Sequence, residues 1–323
     1  MKPKVLLSED INPAGKDLLK DKFNILIAPD TTEETLLKLV PDVIGIILRA
    51  TSKVNKAVID KATKLKVVAR TGVGVDNVDI DAASKRGIYV CYTPGMNNIT
   101  VAEQTLAMIF GLAKQLIHMD KSVRTQCWQE RFSEKQTEIE GKKLGIVGLG
   151  AIGLTVARKC GPGLGMKILA YDPIVQDQIQ ESYIKFTENL EELFQESDFI
   201  SIHTPNIPEN KGLINRNLLS RMKKSAYFIN TARGELVEEQ ALIELLQRKK
   251  IAGAALDVFL KEPLPSDSPF VKMNNVILAP HVAGSTWESN VRIAESAAMA
   301  VLDVWEGRKP EFIYNKDILN YAS

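Results

Sequence analysis

Between Lys143 and Gly153 the chain reads Lys-Leu-Gly-Ile-Val-Gly-Leu-Gly-Ala-Ile-Gly, which places GxGxxG at the end of a short apolar run and at the head of a helical stretch. This pattern limits the possible folds more than any other feature of the sequence. Gly148 permits a tight strand-to-helix turn, Gly150 leaves room for a phosphate beside the backbone, and Gly153 lets the helix approach the strand. Amides at the helix start then face an anion. Alone, GxGxxG is a weak signal, because glycine-rich turns are common. Here the next apolar run ends in Tyr171-Asp172-Pro173, about 20 residues beyond the last glycine, where a carboxylate accepts from ribose hydroxyls and repels a 2′-phosphate. The combination predicts a dinucleotide site that takes NAD in preference to NADP.

The rest of the chain repeats this strand-helix rhythm. Strands are expected at Lys4 to Leu7, Asn24 to Ile27, Val43 to Leu48, Lys66 to Ala69 and Ile88 to Val90. A second series is expected at Lys143 to Val147, Lys167 to Tyr171, Asp198 to Ile202, Ala226 to Ile229, Gly253 to Val258 and Asn275 to Leu278. Asn12-Pro13 and Thr32-Glu33-Glu34 have the composition of helix starts. A single long helix is expected from Thr100 to Asp120 and a last one from Thr286 to Trp305, whereas Gly161-Pro162-Gly163 predicts an early break in the helix after the glycine turn. Such alternation implies α/β architecture, with two doubly wound parallel sheets covered by helices. The last helix can pack back on the first unit and make it discontinuous.

Composition removes several other classes of function. Lys and Arg number 41 and Asp and Glu 40, so no bulk field exists to hold nucleic acid or an anionic membrane. The apolar run near the N-terminus, Val5 to Leu7, is too short for a signal peptide. The most apolar long stretch, Val101 to Ile117, is interrupted by Glu103, Gln104 and Lys114, which suits a buried helix and not a membrane span. Cys91, Cys127 and Cys160 are scattered and lack CxxC spacing, which predicts thiols in a reducing cytoplasm, no disulfide and no metal site.

In open α/β sheets ligands bind beyond the carboxyl ends of the strands. Hydride exchange with NAD requires a base for a hydroxyl proton and a cation for a substrate carboxylate. Arg233 follows one expected strand, Asp257 and Glu262 another, and His203 and His281 two more. His118 lies late in a helical stretch and fits a helix end or an interface. Position alone does not separate His203 from His281 as the base.

The residues resemble the NAD-dependent D-2-hydroxyacid dehydrogenases, and among them the phosphoglycerate dehydrogenases. The likeness runs from about residue 40 to 305. It is carried by Arg70-Thr71-Gly72-Val73-Gly74-Val75-Asp76-Asn77-Val78-Asp79, Thr93-Pro94-Gly95, Val101-Ala102-Glu103 and the 148–153 turn. Further along it is carried by His203-Thr204-Pro205, Asn230-Thr231-Ala232-Arg233-Gly234, Ala255-Leu256-Asp257-Val258-Phe259 with Glu262-Pro263, and Pro280-His281-Val282-Ala283-Gly284-Ser285-Thr286. The resemblance implies that Arg233, Glu262 and His281 form the catalytic set. His281 would take the C2 hydroxyl proton, Glu262 would favour the imidazolium, and Arg233 would bind the carboxylate through its planar fork of donors. It also implies that Gly148, Gly150, Ile152, Gly153, Asp172, His203, Thr204, Thr231, Ala232, Asp257 and Gly284 bind NAD. Arg49, Arg70, Val73 and Gly74 would bind the substrate.

The same likeness implies a Rossmann cofactor domain at 100–285 inserted in a flavodoxin-like substrate domain at 1–99 and 286–323, with hinges near 98–101 and 284–287. It implies a homodimer built on the segment from Thr100 onward. The expected reaction is D-3-phosphoglycerate to 3-phosphohydroxypyruvate, in serine biosynthesis, by a short form without the C-terminal regulatory domain of many phosphoglycerate dehydrogenases. Glyoxylate or hydroxypyruvate reduction is the alternative within the same chemistry. An NAD-sensing corepressor shares the fold and the triad, but this chain has almost no partner-binding tails.

Overall fold

A computed structural model describes residues 2–133 and 135–316. The chain divides into two compact units, residues 1–97 with 285–323 and residues 98–284. The expected first unit ran to residue 323, and 317–323 lie outside the described residues.

The first unit holds β1 (Lys4–Leu7), β2 (Asn24–Ile27), β3 (Val43–Leu48), β4 (Val67–Arg70) and β5 (Tyr89–Cys91), all parallel in the order β2-β1-β3-β4-β5. This is the flavodoxin-like order. Side chains alternate across the sheet, so β1 sends Val5 and Leu7 into one apolar layer and Leu6 into the other. The crossover helices α1 (Pro13–Leu19), α2 (Glu33–Leu39), α3 (Lys56–Lys61) and α4 (Ile80–Lys85) begin at Asn12, Thr32, Asn55 and Asp79. Each of those four side chains accepts a hydrogen bond from a first-turn amide, which satisfies a donor that the helix itself leaves open.

The second unit opens with α5 (Asn98–Ala113) and α6 (Leu116–Arg124) in place of the single helix expected from Thr100 to Asp120. Gln115 takes a left-handed conformation at φ 52, and its side-chain amide donates to Leu112 O at 2.9 Å. The same carbonyl also accepts from Gln115 N at 3.2 Å, so backbone and side chain of one residue both hold the end of α5. Ala, Leu, Lys and Gln all favour helix, so composition alone conceals the break. The sheet then runs through β6 (Lys143–Val147), β7 (Lys167–Tyr171), β8 (Ile184–Phe186), β9 (Phe199–Ile202), β10 (Tyr227–Asn230), β11 (Gly253–Leu256) and β12 (Val276–Leu278). All are parallel, in the order β12-β11-β10-β9-β6-β7-β8. The order reverses between β6 and β9, the switch point at which dinucleotides bind in Rossmann sheets. The three-residue β8 is an edge strand the sequence pattern did not predict.

Four helices join these strands: α7 (Ala151–Leu164), α8 (Leu190–Glu196), α9 (Arg216–Arg221) and α10 (Glu239–Gln247). The expected early break in α7 does not occur, and Pro162 lies inside the helix. So late in the helix, a proline displaces only one backbone bond. Gly165, left-handed at φ 67, then ends α7, and Met166 N donates back to Cys160 O at 3.1 Å. The last helix, α11 (Trp287–Trp305), returns to the first unit. It meets α1 at Gly15, where a Cβ would lie 2.6 Å from Ala294 O. Among the described residues no helix is long and apolar enough to cross a membrane.

Candidate active site

The glycine turn follows β6 and leads directly into α7. Gly148 has φ +90, and a Cβ there would lie 2.7 Å from Thr204 N and 2.8 Å from His203 C. A Cβ on Gly153 would lie 2.1 Å from Gly148 O. Both glycines are therefore demanded by packing of backbone on backbone. Gly150, the N-cap of α7, differs: a Cβ there would meet nothing within 4 Å. It opens a cradle at the start of a 14-residue helix, and the first-turn amides, that of Ile152 included, have no partner within the helix. That fits a bound diphosphate. Gly150→Ala, which its φ of −65 allows, is expected to unfold at the wild-type temperature yet bind NADH at least about tenfold more weakly. Calorimetric titration of NADH checks this, and unchanged affinity would remove the phosphate from the cradle.

Asp172 follows β7. Its Oδ2 accepts from Leu149 N at 2.8 Å, and its Oδ1 accepts from Ile174 N and Val175 N at 2.9 and 3.2 Å. A carboxylate has about four acceptor positions, so most are spent, one on the glycine turn and two on the turn that follows β7. The residue serves the fold as well as any ribose.

The candidate catalytic residues sit beyond the ends of β10, β11 and β12. Beyond β10, Arg233 is half-buried and its guanidinium Nη1 donates to Ala232 O at 2.7 Å. The Thr231 hydroxyl lies 3.1 Å from that of Thr105, whose own proton goes to Val101 O, so Thr231 is the donor of the pair. A Cβ on Gly234 would lie 2.1 Å from Phe259 C, so the turn that carries Arg233 lies flush against the turn leading to Glu262. The Glu262 Oε1 accepts from Phe259 N at 3.0 Å, and its Oε2 lies 2.7 Å from His281 Nδ1. Burial pushes the Glu262 carboxyl up. The His281 hydrogen bond, the Phe259 amide and the charges of His281 and Arg233 outweigh burial and hold it below the usual range.

Asp257 is fully buried. Its backbone O accepts from His281 N at 2.8 Å, and its two carboxylate oxygens accept from Val282 N at 2.9 Å and Ala283 N at 2.8 Å. Burial raises its carboxyl above the ordinary range, against the pull of those amides and of His281. These bonds hold the loop from His281 to the half-buried Gly284.

The two strand-end histidines now differ. His203 Nε2 lies 2.9 Å from Ser201 Oγ, and burial pushes its imidazole down to about 4, so it is neutral at pH 7. Its neighbour Thr204 accepts from Asn210 Nδ2 at 3.2 Å. His281, by contrast, is paired with an acid. His118 pairs with Glu130 at 2.9 Å.

The second unit thus brings Arg233, Glu262 and His281 together, while Arg49, Arg70, Val73 and Gly74 belong to the first. Arg49 follows β3 and donates to Asp10 O at 2.7 Å. Arg70 ends β4 and donates to Thr71 O, and Gly72, at φ +154, leaves space for its guanidinium. Val73 is exposed and Gly74 follows it. All four lie at the carboxyl end of that sheet. Sequence reasoning did not single out Asn230, Thr105 or Ser201. Only Asn230 carries a local signal, an Asx residue opening a turn.

The profile of the D-isomer specific 2-hydroxyacid dehydrogenase NAD-binding domain matches residues 106–283. A D-3-phosphoglycerate dehydrogenase of Synechocystis sp. is 40% identical over 304 residues, 94% of this chain but 54% of that protein, so the chain spans about half of that relative's length. A glyoxylate reductase of Thermofilum pendens is 40% identical over 329 residues, covering 98% of this chain and 96% of that protein. Among solved structures, a protein of Thermus thermophilus superimposes with a TM-score of 0.89 at 34% identity, over 96% of this chain and 99% of that one.

Proposed function

The chain belongs to the D-isomer specific 2-hydroxyacid dehydrogenase family, and on that premise we propose that it interconverts D-2-hydroxy acids and 2-oxo acids with NAD. The reading is carried by the 2.7 Å pair of His281 and Glu262, with the Arg233 charge beside it. Because Glu262 is held ionised, it accepts the Nδ1 proton and leaves the Nε2 lone pair of a neutral ring available to a hydroxyl proton. Nε2 takes that proton in oxidation and returns it in reduction. Arg233 would hold the carboxylate through the planar fork of its guanidinium. The nicotinamide, when bound, supplies or accepts the hydride at C2. The Gly150 cradle would hold the diphosphate and Asp172 the ribose, with a preference for NAD over NADP.

Within this class, Arg49 and Arg70 at the carboxyl end of the first sheet support a substrate with a second anionic group, D-3-phosphoglycerate, and so a place in serine biosynthesis. A second reading, glyoxylate reduction, is favoured by the near full-length match to a glyoxylate reductase. Steady-state turnover on 3-phosphohydroxypyruvate, glyoxylate and pyruvate, each with NADH and NADPH, separates the two. The first is expected to give the highest kcat/KM, with NADH. Preference for glyoxylate overturns the substrate, preference for NADPH overturns the cofactor, and no reduction of any 2-oxo acid overturns the enzyme.

The surface and the thiols bear on assembly and setting. Leu116, Ile117 and Val123 on α6, with Trp128 and Phe132 after it, are large apolar residues left more than half exposed, which supports a homodimer through this segment. Light scattering is expected to give twice the mass of one chain, and a single-chain mass counts against it. The three free cysteines support a cytoplasmic setting, which cell fractionation would check.

A further inference from the structure

Asn230 closes β10 and is 1% exposed. A carboxamide buried so deeply costs free energy unless its polar atoms find partners. Its backbone carbonyl is used by the sheet, accepting from Asp257 N at 3.0 Å. Its side chain is spent on the chain that follows. Oδ1 accepts from Ala232 N and Nδ2 donates to Arg233 O, both at 2.9 Å. Those bonds hold the 231–232 and 233–234 peptides, so the 232–233 peptide is bracketed between them. The carbonyl of that bracketed peptide, Ala232 O, is the one that receives the Arg233 guanidinium at 2.7 Å. The guanidinium is therefore docked on a peptide plane whose orientation one side chain sets from both ends. Residues 231–233 contain neither glycine nor proline, so the shape of the turn comes from Asn230. On the other side Gly234 lies against Phe259 and Leu260, and the turn cannot relax in that direction.

We propose that Asn230 is the positioning residue for Arg233, aiming its guanidinium at the substrate carboxylate without touching substrate itself. The proposal rests on the reading of Arg233 as the carboxylate-binding residue. Asn230→Ala is expected to raise KM for the 2-oxo acid by roughly tenfold to a hundredfold, with a much smaller change in NADH affinity, because the Gly150 cradle and Asp172 are left intact. Asn230→Asp keeps the bond from Ala232 N but sets an oxygen against Arg233 O, and is expected to be impaired in the same parameter.

A double-mutant cycle separates positioning from general stability. In an Arg233→Ala background, Asn230→Ala should change kcat/KM by less than about twofold, because residues that act through one another are not additive. Binding of oxamate to the NADH-loaded protein repeats the cycle without turnover. If Asn230→Ala does not fold, Asn230→Asp takes its place. An equal penalty in both backgrounds, or none in the wild-type background, overturns the positioning role and leaves the proposed activity standing. A wild-type protein that neither reduces a 2-oxo acid nor binds oxamate overturns the Arg233 reading, and this proposal with it.

Discussion

Replacing His281 with alanine is expected to lower kcat roughly 10²- to 10⁴-fold, the usual span for removing a general acid-base, while NADH affinity stays at the wild-type value. The reason lies in how the loop is held. His281 adopts a left-handed backbone at φ 54, which costs a non-glycine residue about 1 to 2 kcal/mol. The Asp257 bonds to three successive amides offset that cost. The resulting backbone presents Nδ1 to Glu262 at 2.7 Å, which selects the tautomer with its lone pair on Nε2. The substitution removes only the imidazole and leaves Asp257, the glycine turn and β7 unaltered, so NADH binding should survive. His281→Asn is the control for strain, because asparagine tolerates the left-handed region but brings no imidazole. Comparable losses in both variants locate the effect in proton transfer. Glu262→Gln keeps an acceptor oxygen and withdraws the charge, so a smaller loss is expected there. Single-turnover reduction with NADH fluorescence gives both quantities. A kcat within a few-fold of wild type, or NADH affinity that falls in step with kcat, would refute the assignment.

Much of this site was legible before any coordinates. The glycine turn could be read because each glycine answers a local requirement, and the geometry separates those requirements: backbone contact at Gly148 and Gly153, open space at Gly150. Buried parallel strands such as β3, Val-Ile-Gly-Ile-Ile-Leu, are nearly continuous apolar runs and were plain for that reason. β8 was missed because three residues at a sheet edge leave too little pattern. The break at Gln115 was missed because its stabilising bond comes from the residue's own amide, which no propensity encodes. His203 and His281 were equivalent by position, each following a strand. The family resemblance chose His281, and the structure adds the physical difference: one ring is half-buried against a serine and the other meets a carboxylate brought in from a neighbouring turn. Asp172 shows the opposite case, in which the ligand reading and the turn reading describe the same carboxylate.

Gly234→Ala is expected to destabilise the protein by roughly 1 to 3 kcal/mol, as overpacking does, and to cut kcat/KM by about a hundredfold, the cost of displacing catalytic groups by about an ångström. A methyl at this position would lie 2.1 Å from Phe259 C, 2.2 Å from its O and 2.4 Å from Leu260 N. These are main-chain atoms, so no side-chain rotation relieves the clash, and one of the two turns must move. If the 259–260 turn moves, it takes with it the Phe259 amide that holds Glu262 Oε1 and the Leu260 amide that donates to Glu239 at 3.0 Å. Glu262 then loses its registration on His281. If the 231–234 turn moves, Arg233 leaves its place beside Glu262 and the bracket made by Asn230 opens. Either route displaces the proposed catalytic residues while the glycine turn and Asp172 stay intact, so NADH affinity should fall far less than kcat/KM, the 231–232 contacts expected on the nicotinamide side being the ones disturbed. Gly150→Ala predicts the converse pattern, with stability kept and cofactor binding lost. Urea unfolding and steady-state kinetics on the two variants test the contrast directly. A Gly234→Ala protein with wild-type stability and turnover would mean that the two turns are not in the contact that aligns Arg233 with Glu262 and His281.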